Sequence, residues 1–217
     1  MAARLPDNEP YRLFALRQAG LLDTEPDPAF DAVTRLASTL CGVPIALVSL
    51  VDADRQWFKS RVGLPAPQTH RDHAFCAHAI LEEEPLVVPD ATADPRFSAN
   101  PLVTADPHIR FYAGVPIHAA EERVGTLCVI DRVPRELDVA QRERLRDLAR
   151  LVDALIEARR FVRNQRHVAL GPKWRIQPLP IRGVVKQHHE QYTQIGFIDC
   201  SNERFAIYRA SLISHSC

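Results

Sequence analysis

Residues 45–62 read IALVSLVDADRQWFKSRV, two extended runs joined by a short polar stretch. Ile45 to Val51 is apolar and rich in β-branched residues, which favours a buried strand. Asp52 to Arg55 supplies a turn, and Gln56 to Val62 returns as a second strand before Gly63 and two prolines end it. The simplest topology for such a pair is an antiparallel hairpin. Further along, Ile109 to Ile117 (IRFYAGVPI) and Val124 to Ile130 (VGTLCVI) flank the polar connection Glu121 to Arg123 and predict a second hairpin.

Between the hairpins, Ala74 to Leu81 (AFCAHAIL) reads as a short helical stretch and Pro85 to Val88 as a brief strand. Asp90 to Pro107 is rich in Asp, Pro and Asn and reads as a long loop, commonly a lid or binding element in a compact domain. Helices are expected on both flanks. Glu9 to Ala19 is the first, ended by Gly20. The second is capped by Asp27 with Pro28 in its first turn, carries Phe30, Val33, Ala37 and Leu40 on one face, and stops at Gly42. The third, Asp138 to about Arg163, spaces Leu145, Leu148, Val152 and Leu155 at intervals of three and four. About five strands arranged as consecutive hairpins, with helices before, between and after them, define an α+β fold built on an antiparallel sheet.

Strand alternation then separates two chemistries. Thr126, Cys128 and Ile130 share one face, opposite Leu127 and Val129, and Ser49 sits among the apolar residues of the first strand. One face is expected to pack on the terminal helices. The other carries small or weakly polar groups under the irregular segment 64–107 and leaves room for a ligand. Arg110 and Tyr112 project from one side of their strand and can offer it a cation and a phenol.

The chain has 217 residues, 46% hydrophobic and 25% charged, the composition of a chain that folds. Its 27 basic and 27 acidic side chains cancel, which removes a general attraction to nucleic acid or an anionic membrane. The cancellation conceals a division: residues 1–160 hold 19 basic and 24 acidic side chains, residues 161–217 hold 8 and 3. No apolar run approaches a membrane span and the N-terminus lacks a signal-peptide pattern, so the cytoplasm is the expected location. Five scattered cysteines, Cys41, Cys76, Cys128, Cys200 and Cys217, fit reduced thiols better than a disulfide framework.

The ordered blocks VPIALVSLVDADRQWFKSRVGL (43–64), AFCAHAI (74–80), PLVVPDATADPRFSANPLV (85–103), IRFYAGVPI (109–117) and GTLCVIDRVPREL (125–137) resemble bacterial GAF domains. The resemblance covers about residues 10–160. It implies a GAF/PAS-like central antiparallel sheet flanked by helices, with a small-molecule pocket on one side. It also implies a sensory module upstream of a histidine kinase, diguanylate cyclase or related output, often a homodimer through its flanking helices. Family ligands include cyclic nucleotides, bilins, haem and metal centres, and fold alone selects none of them. The NKFDE-type signature of cyclic-nucleotide relatives is absent, and Cys76 and His78 are separated by Ala77, unlike the adjacent Cys-His pair of many bilin-bearing relatives. The ligand is therefore unidentified and no cofactor is assigned.

The candidate ligand-binding residues are Trp57, Phe75, Cys76, His78, Arg110, Tyr112, Thr126 and Cys128. Trp57 and Phe58 point to opposite faces, so one of them at most meets a ligand. His73, Cys76 and His78 are metal-ligand types, but residues two apart diverge on a helix, so packing is the preferred reading and no metal is assigned. Asp90, Asp94 and Arg96 are read as turn builders. No catalytic residue is assigned. Cys76 and Cys128 facing one pocket raise a thiol-redox alternative, similar to the free methionine sulfoxide reductases among GAF proteins.

Three segments follow: residues 1–25, an N-terminal helical segment; 26–165, the GAF domain with its C-terminal helix; and 166–217, a basic tail expected to be partly disordered or truncated. Ile195 to Ile198 and Phe205 to Tyr208 can form short strands there, but no output catalytic signature is recognisable. The tail raises a last alternative, a ligand-responsive regulator with a nucleic-acid arm, against which stand its dispersed charges and the lack of a helix-turn-helix pattern.

Overall fold

The computed structural model describes residues 2–169; the tail strands expected beyond Leu170 lie outside the described residues. The helices are α1 (Glu9–Ala19), α2 (Pro28–Cys41), α3 (Phe75–Ala79), α4 (Pro101–Thr104) and α5 (Val139–Ala169). The strands are β1 (Ile45–Val51), β2 (Arg55–Val62), β3 (Gln68–His70), β4 (Leu86–Val88), β5 (Phe111–Ala119) and β6 (Glu122–Asp131). They form one antiparallel sheet in the order β3-β2-β1-β6-β5-β4. Both expected hairpins are present. The sheet has six strands, not five, because the polar triplet Gln68–His70 pairs with β2 although it has no apolar signature.

The local signals act as the residue types require. The Asp27 side chain accepts a hydrogen bond from Ala29 N, and α2 ends at Gly42 with φ of 64°, a conformation costly for residues with a Cβ. Asp138 and Gln141 cap α5 reciprocally, Gln141 N donating to Asp138 Oδ1 at 2.7 Å and Asp138 N to Gln141 Oε1 at 3.0 Å. The segment 90–107 is better ordered than its composition implies. Asp90 and Asp94 fold it through bonds from Thr92 N and Arg96 N, and Asn100 starts α4 by accepting from Leu102 N.

Two cores lie on opposite sides of the sheet. On one, Val48, Phe111 and Leu127 pack against Leu16 of α1, Phe30 of α2 and Val152 of α5. On the other, Ile45, Leu47, Tyr112 and Cys128 face Phe75 of α3 and Phe97 of the ordered loop. Along α5 the inward residues are Leu145, Leu148, Ala149, Val152 and Ile156, while Leu155 is only half-buried. The helix runs beyond the expected Arg163 to Ala169. No helix among the described residues is long and apolar enough to cross a membrane.

A buried ionic buckle fastens α1 to the β1–β2 turn. Arg12 donates to both Glu9 carboxylate oxygens at 2.7 and 2.8 Å and to Val51 O at 2.6 Å. Arg71 reaches Glu9 Oε1 at 2.5 Å and Asp52 O at 2.9 Å. Burial alone would raise the Glu9 carboxyl, but the hydrogen bonds from Arg12 and Arg71 outweigh it and hold it at about 2. Removing one partner strands the other charges away from water.

Glu9→Gln is therefore expected to lower unfolding free energy by about 3 kcal/mol. Because folding lowers this carboxyl from its ordinary 4.5 to about 2, its contribution is complete above pH 4.5 and disappears as pH falls towards 2. Urea denaturation over that range should show the wild type losing its advantage over the variant, and a gap that does not change with pH would refute the pairing.

Candidate functional site

The pairing of β1 with β6 sets Ile45 beside Ile130, Leu47 beside Cys128 and Ser49 beside Thr126, all on the sheet face away from α1, α2 and α5. An apolar cavity of about 130 Å³ lies over this face. Its floor includes Ile45, Leu47, Phe58, Tyr112 and Ile130, with Phe75 and Cys76 at the side. Leu64, Pro65, Ala66, Leu102 and Pro107 cover it, so the irregular segment after β2 leaves a space that side chains do not fill.

Aromatic packing holds one wall. The Phe75 ring stacks on Phe97 with centroids 4.0 Å apart and meets Tyr112 at 5.1 Å. Tyr112 lies along the strand over Gly114, where a Cβ would stand 2.1 Å from the phenol oxygen. Only glycine leaves the phenol that position.

Beside the cavity is a fully enclosed polar cluster. The Cys76 sulfur accepts from Thr126 Oγ1 at 3.0 Å and from the Tyr112 hydroxyl at 3.4 Å, and lies 3.8 Å from Cys128 Sγ. Burial alone would raise the Cys76 thiol, but the neighbouring groups of Cys128, Ser49, Thr126 and Tyr112 outweigh it and bring it down to about 7. Ser49 Oγ makes no hydrogen bond of standard geometry, so it acts on Cys76 as a nearby dipole. Cys128 is pushed well above the ordinary thiol value by burial and by the adjacent Cys76. Burial and the two sulfurs likewise raise the Tyr112 phenol. Of the two thiols, Cys76 is therefore the one whose ionisation the cluster favours.

Of the eight candidates read from the sequence, Phe75, Cys76 and Tyr112 line the cavity, and Thr126 and Cys128 stand behind Cys76. The other three lie elsewhere. Trp57 packs on the helix-side core and Phe58 takes the cavity face, as alternation requires of adjacent residues. The His78 ring meets Phe97 edge-on at 4.8 Å. Arg110 precedes β5 and donates to Val103 O at 2.9 Å and Ile109 O at 3.0 Å, binding the ordered loop to the sheet. Among the described residues, no group of three or more His, Cys, Asp or Glu is disposed to hold a metal ion. Gln56, Thr69 and Asp106 also line the cavity. Gln56 was accessible to sequence reasoning, since it shares a face with Phe58, whereas Thr69 belongs to the strand that has no pattern.

A family model described as GAF domain matches residues 25–156. The chain belongs to the GAF domain family. The chain is 46% identical over 160 residues to a cyclic di-GMP phosphodiesterase of Pseudomonas aeruginosa, a match covering 71% of this chain and 27% of that protein. In fold it is similar to the blue-light absorbing form of the Thermosynechococcus elongatus PixJ GAF domain, with a TM-score of 0.53 and 15% identity over 73% of this chain and 95% of that one. It is also similar to a free methionine-R-sulfoxide reductase from Neisseria meningitidis, with a TM-score of 0.52 and 19% identity over 74% and 98% of the two chains. The family match and the signalling relative bear out the sensory, regulatory reading of the sequence. The structural neighbours bear out the fold.

Thr126→Val removes the nearest hydroxyl donor to the Cys76 sulfur and is expected to move that thiol's titration upward from about 7. Ultraviolet thiolate absorbance across a pH series, with Cys76→Ser as the reference, checks this. An unchanged midpoint would remove Thr126 from the cluster's electrostatics.

Proposed function

We propose that residues 26–165 form a cytoplasmic sensory unit that binds a small molecule in the recess over the sheet and reports occupancy through α1 and α5. The observation that carries this reading is the apolar cavity of about 130 Å³ beneath residues 64–107. Ligand binding shifts a regulatory equilibrium only by its differential affinity for two states, so the recess must differ between them. The output follows the relative: a module acting on a cyclic dinucleotide, or a kinase or cyclase, receives the signal, and this domain performs no catalysis itself. Residues 170–217 lie outside the described residues and contribute nothing to the reading.

A homodimer through α5 is supported by an apolar stripe that no other element of the described chain covers. Leu151, Ala154, Ala158 and Phe161 are all exposed and recur at intervals of three, four and three. The spacing suits a helix pairing with its own copy. Tyr11 and Phe14 of α1 are exposed as well.

Native mass spectrometry of the purified full chain tests both parts together. The expected spectrum shows two copies carrying a small molecule. Ala66→Trp at the cavity cover should lose the small molecule and keep the dimer, while Leu151→Glu with Phe161→Glu should give a monomer. An unliganded monomer in the wild type counts against the whole proposal.

A second reading is favoured by the Cys76–Cys128 approach of 3.8 Å and the lowered Cys76 thiol. In it the protein is a thiol-based reductase acting on free methionine sulfoxide. That reading requires turnover with a dithiol reductant that disappears in Cys128→Ser. Absence of turnover in the wild type eliminates it.

A further inference from the structure

Two polar atoms facing the cavity have no hydrogen-bond partner among the described residues. They are Gln56 Oε1 and Thr69 Oγ1. Gln56 is only 5% exposed, and the two residues are direct cross-strand partners of β2 and β3. Cross-strand partners hold their Cβ atoms about 5 Å apart, so one small group bridges both. Buried polar groups in native proteins are overwhelmingly paired, and an adjacent orphan pair at a cavity wall points to a missing partner. A hydroxyl completes it, donating to the Gln56 carbonyl oxygen and accepting from Thr69. If the amide is turned the other way, the hydroxyl accepts from Gln56 and donates to Thr69.

Size and charge narrow the class. An apolar cavity of about 150 Å³ holds benzene, so about 130 Å³ takes one six-membered ring and little more. Phe58, Phe75 and Tyr112 offer ring faces and edges to an aromatic guest. The lining contains the Asp106 carboxylate and, among the described residues, no Lys, Arg or His, so an anion would enter uncompensated.

We propose that the ligand is a small uncharged aromatic alcohol, a phenol, with its ring against Phe58 and Phe75 and its hydroxyl between Gln56 and Thr69. This rests on the reading of the recess as a ligand site. It excludes from the cavity both anionic metabolites and a cyclic dinucleotide, the latter by size.

The test is calorimetric titration of the full chain with phenol and toluene, which share a ring and nearly the same bulk, and with benzoate, which adds a charged carboxylate to that ring. Water holds phenol more strongly than toluene, so phenol binding at least as tightly as toluene requires the two hydrogen bonds. That is the expected result, with benzoate not binding. Gln56→Leu and Thr69→Val should each weaken phenol relative to toluene about tenfold, the worth of one well-made hydrogen bond. Thr69 is half-buried in an edge strand, so its variant keeps the test open if Gln56→Leu does not fold. Toluene binding more tightly than phenol, with a ratio the variants leave unchanged, overturns the proposal and leaves the recess as a ligand site. Binding of benzoate above phenol overturns it equally. If none of the three binds, the phenol proposal is overturned, and the native mass spectrum decides separately whether the recess holds another molecule.

Discussion

The pairing of β1 with β6, from Ile45 opposite Ile130 to Leu50 opposite Gly125, holds the centre of the sheet. The approach is close enough that a Cβ on residue 125 would stand 1.9 Å from the Ser49 carbonyl oxygen. With this register set, alternation assigns every neighbouring residue to a face, and a slip of one residue would exchange the faces entirely. Val48 and Leu127 then pack on the helices, while Leu47, Ser49, Thr126 and Cys128 turn to the opposite side. Each flanking hairpin inherits its orientation from this pair. The cavity, the thiol cluster and the helix-side core are all consequences of it.

The two faces are stabilised differently, and this allows one to be rigid and the other adaptable. On the helix side, three helices bury mostly large aliphatic and aromatic side chains, and the buried hydroxyls of Thr34 and Ser60 pair with each other at 2.7 Å. On the other side the cover consists of a three-residue edge strand, a five-residue helix and turns closed by Asp and Asn side chains. Elements of this kind open at lower free energy than a packed core. A recess beneath them admits a guest without disturbing the register of the central strands.

Much of this architecture was legible in the sequence because its signals are local. Asp27, Pro28, Gly20 and Gly42 bound the first two helices where turn chemistry places them, and the two hairpins follow from alternating apolar runs. The division of faces follows from the period of two, which alone places Thr126 and Cys128 on one face. What escaped has no local signal. β3 is polar and exists only because β2 offers an edge, so Thr69 and its pairing with Gln56 were invisible. Arg110 was assigned to a strand that begins one residue later, and that shift converts a cavity cation into a clamp on loop carbonyls. The Glu9–Arg12–Arg71 buckle joins residues up to 62 positions apart and leaves no periodic trace.

That buckle bears on how the two faces communicate. Arg71 opens the 3-10 turn Arg71–His73, which Ala74 alone separates from α3 and its cavity residues Phe75 and Cys76. Its guanidinium is held by Glu9 of α1, and α1 packs in the same core as α5. At the far end of α1, Arg163 of α5 donates to Arg17 O at 3.5 Å. A contiguous set of contacts therefore leads from the cavity wall to the two terminal helices without crossing the sheet. The connection at its centre is a buried ion pair, whose separation would leave charges without compensation away from water. Under the proposed sensory reading, a displacement of α3 would reach α1 through this pair, and the packed core shared by α1 and α5 would carry it on as a discrete shift, since packed interfaces are bistable and not continuously deformable.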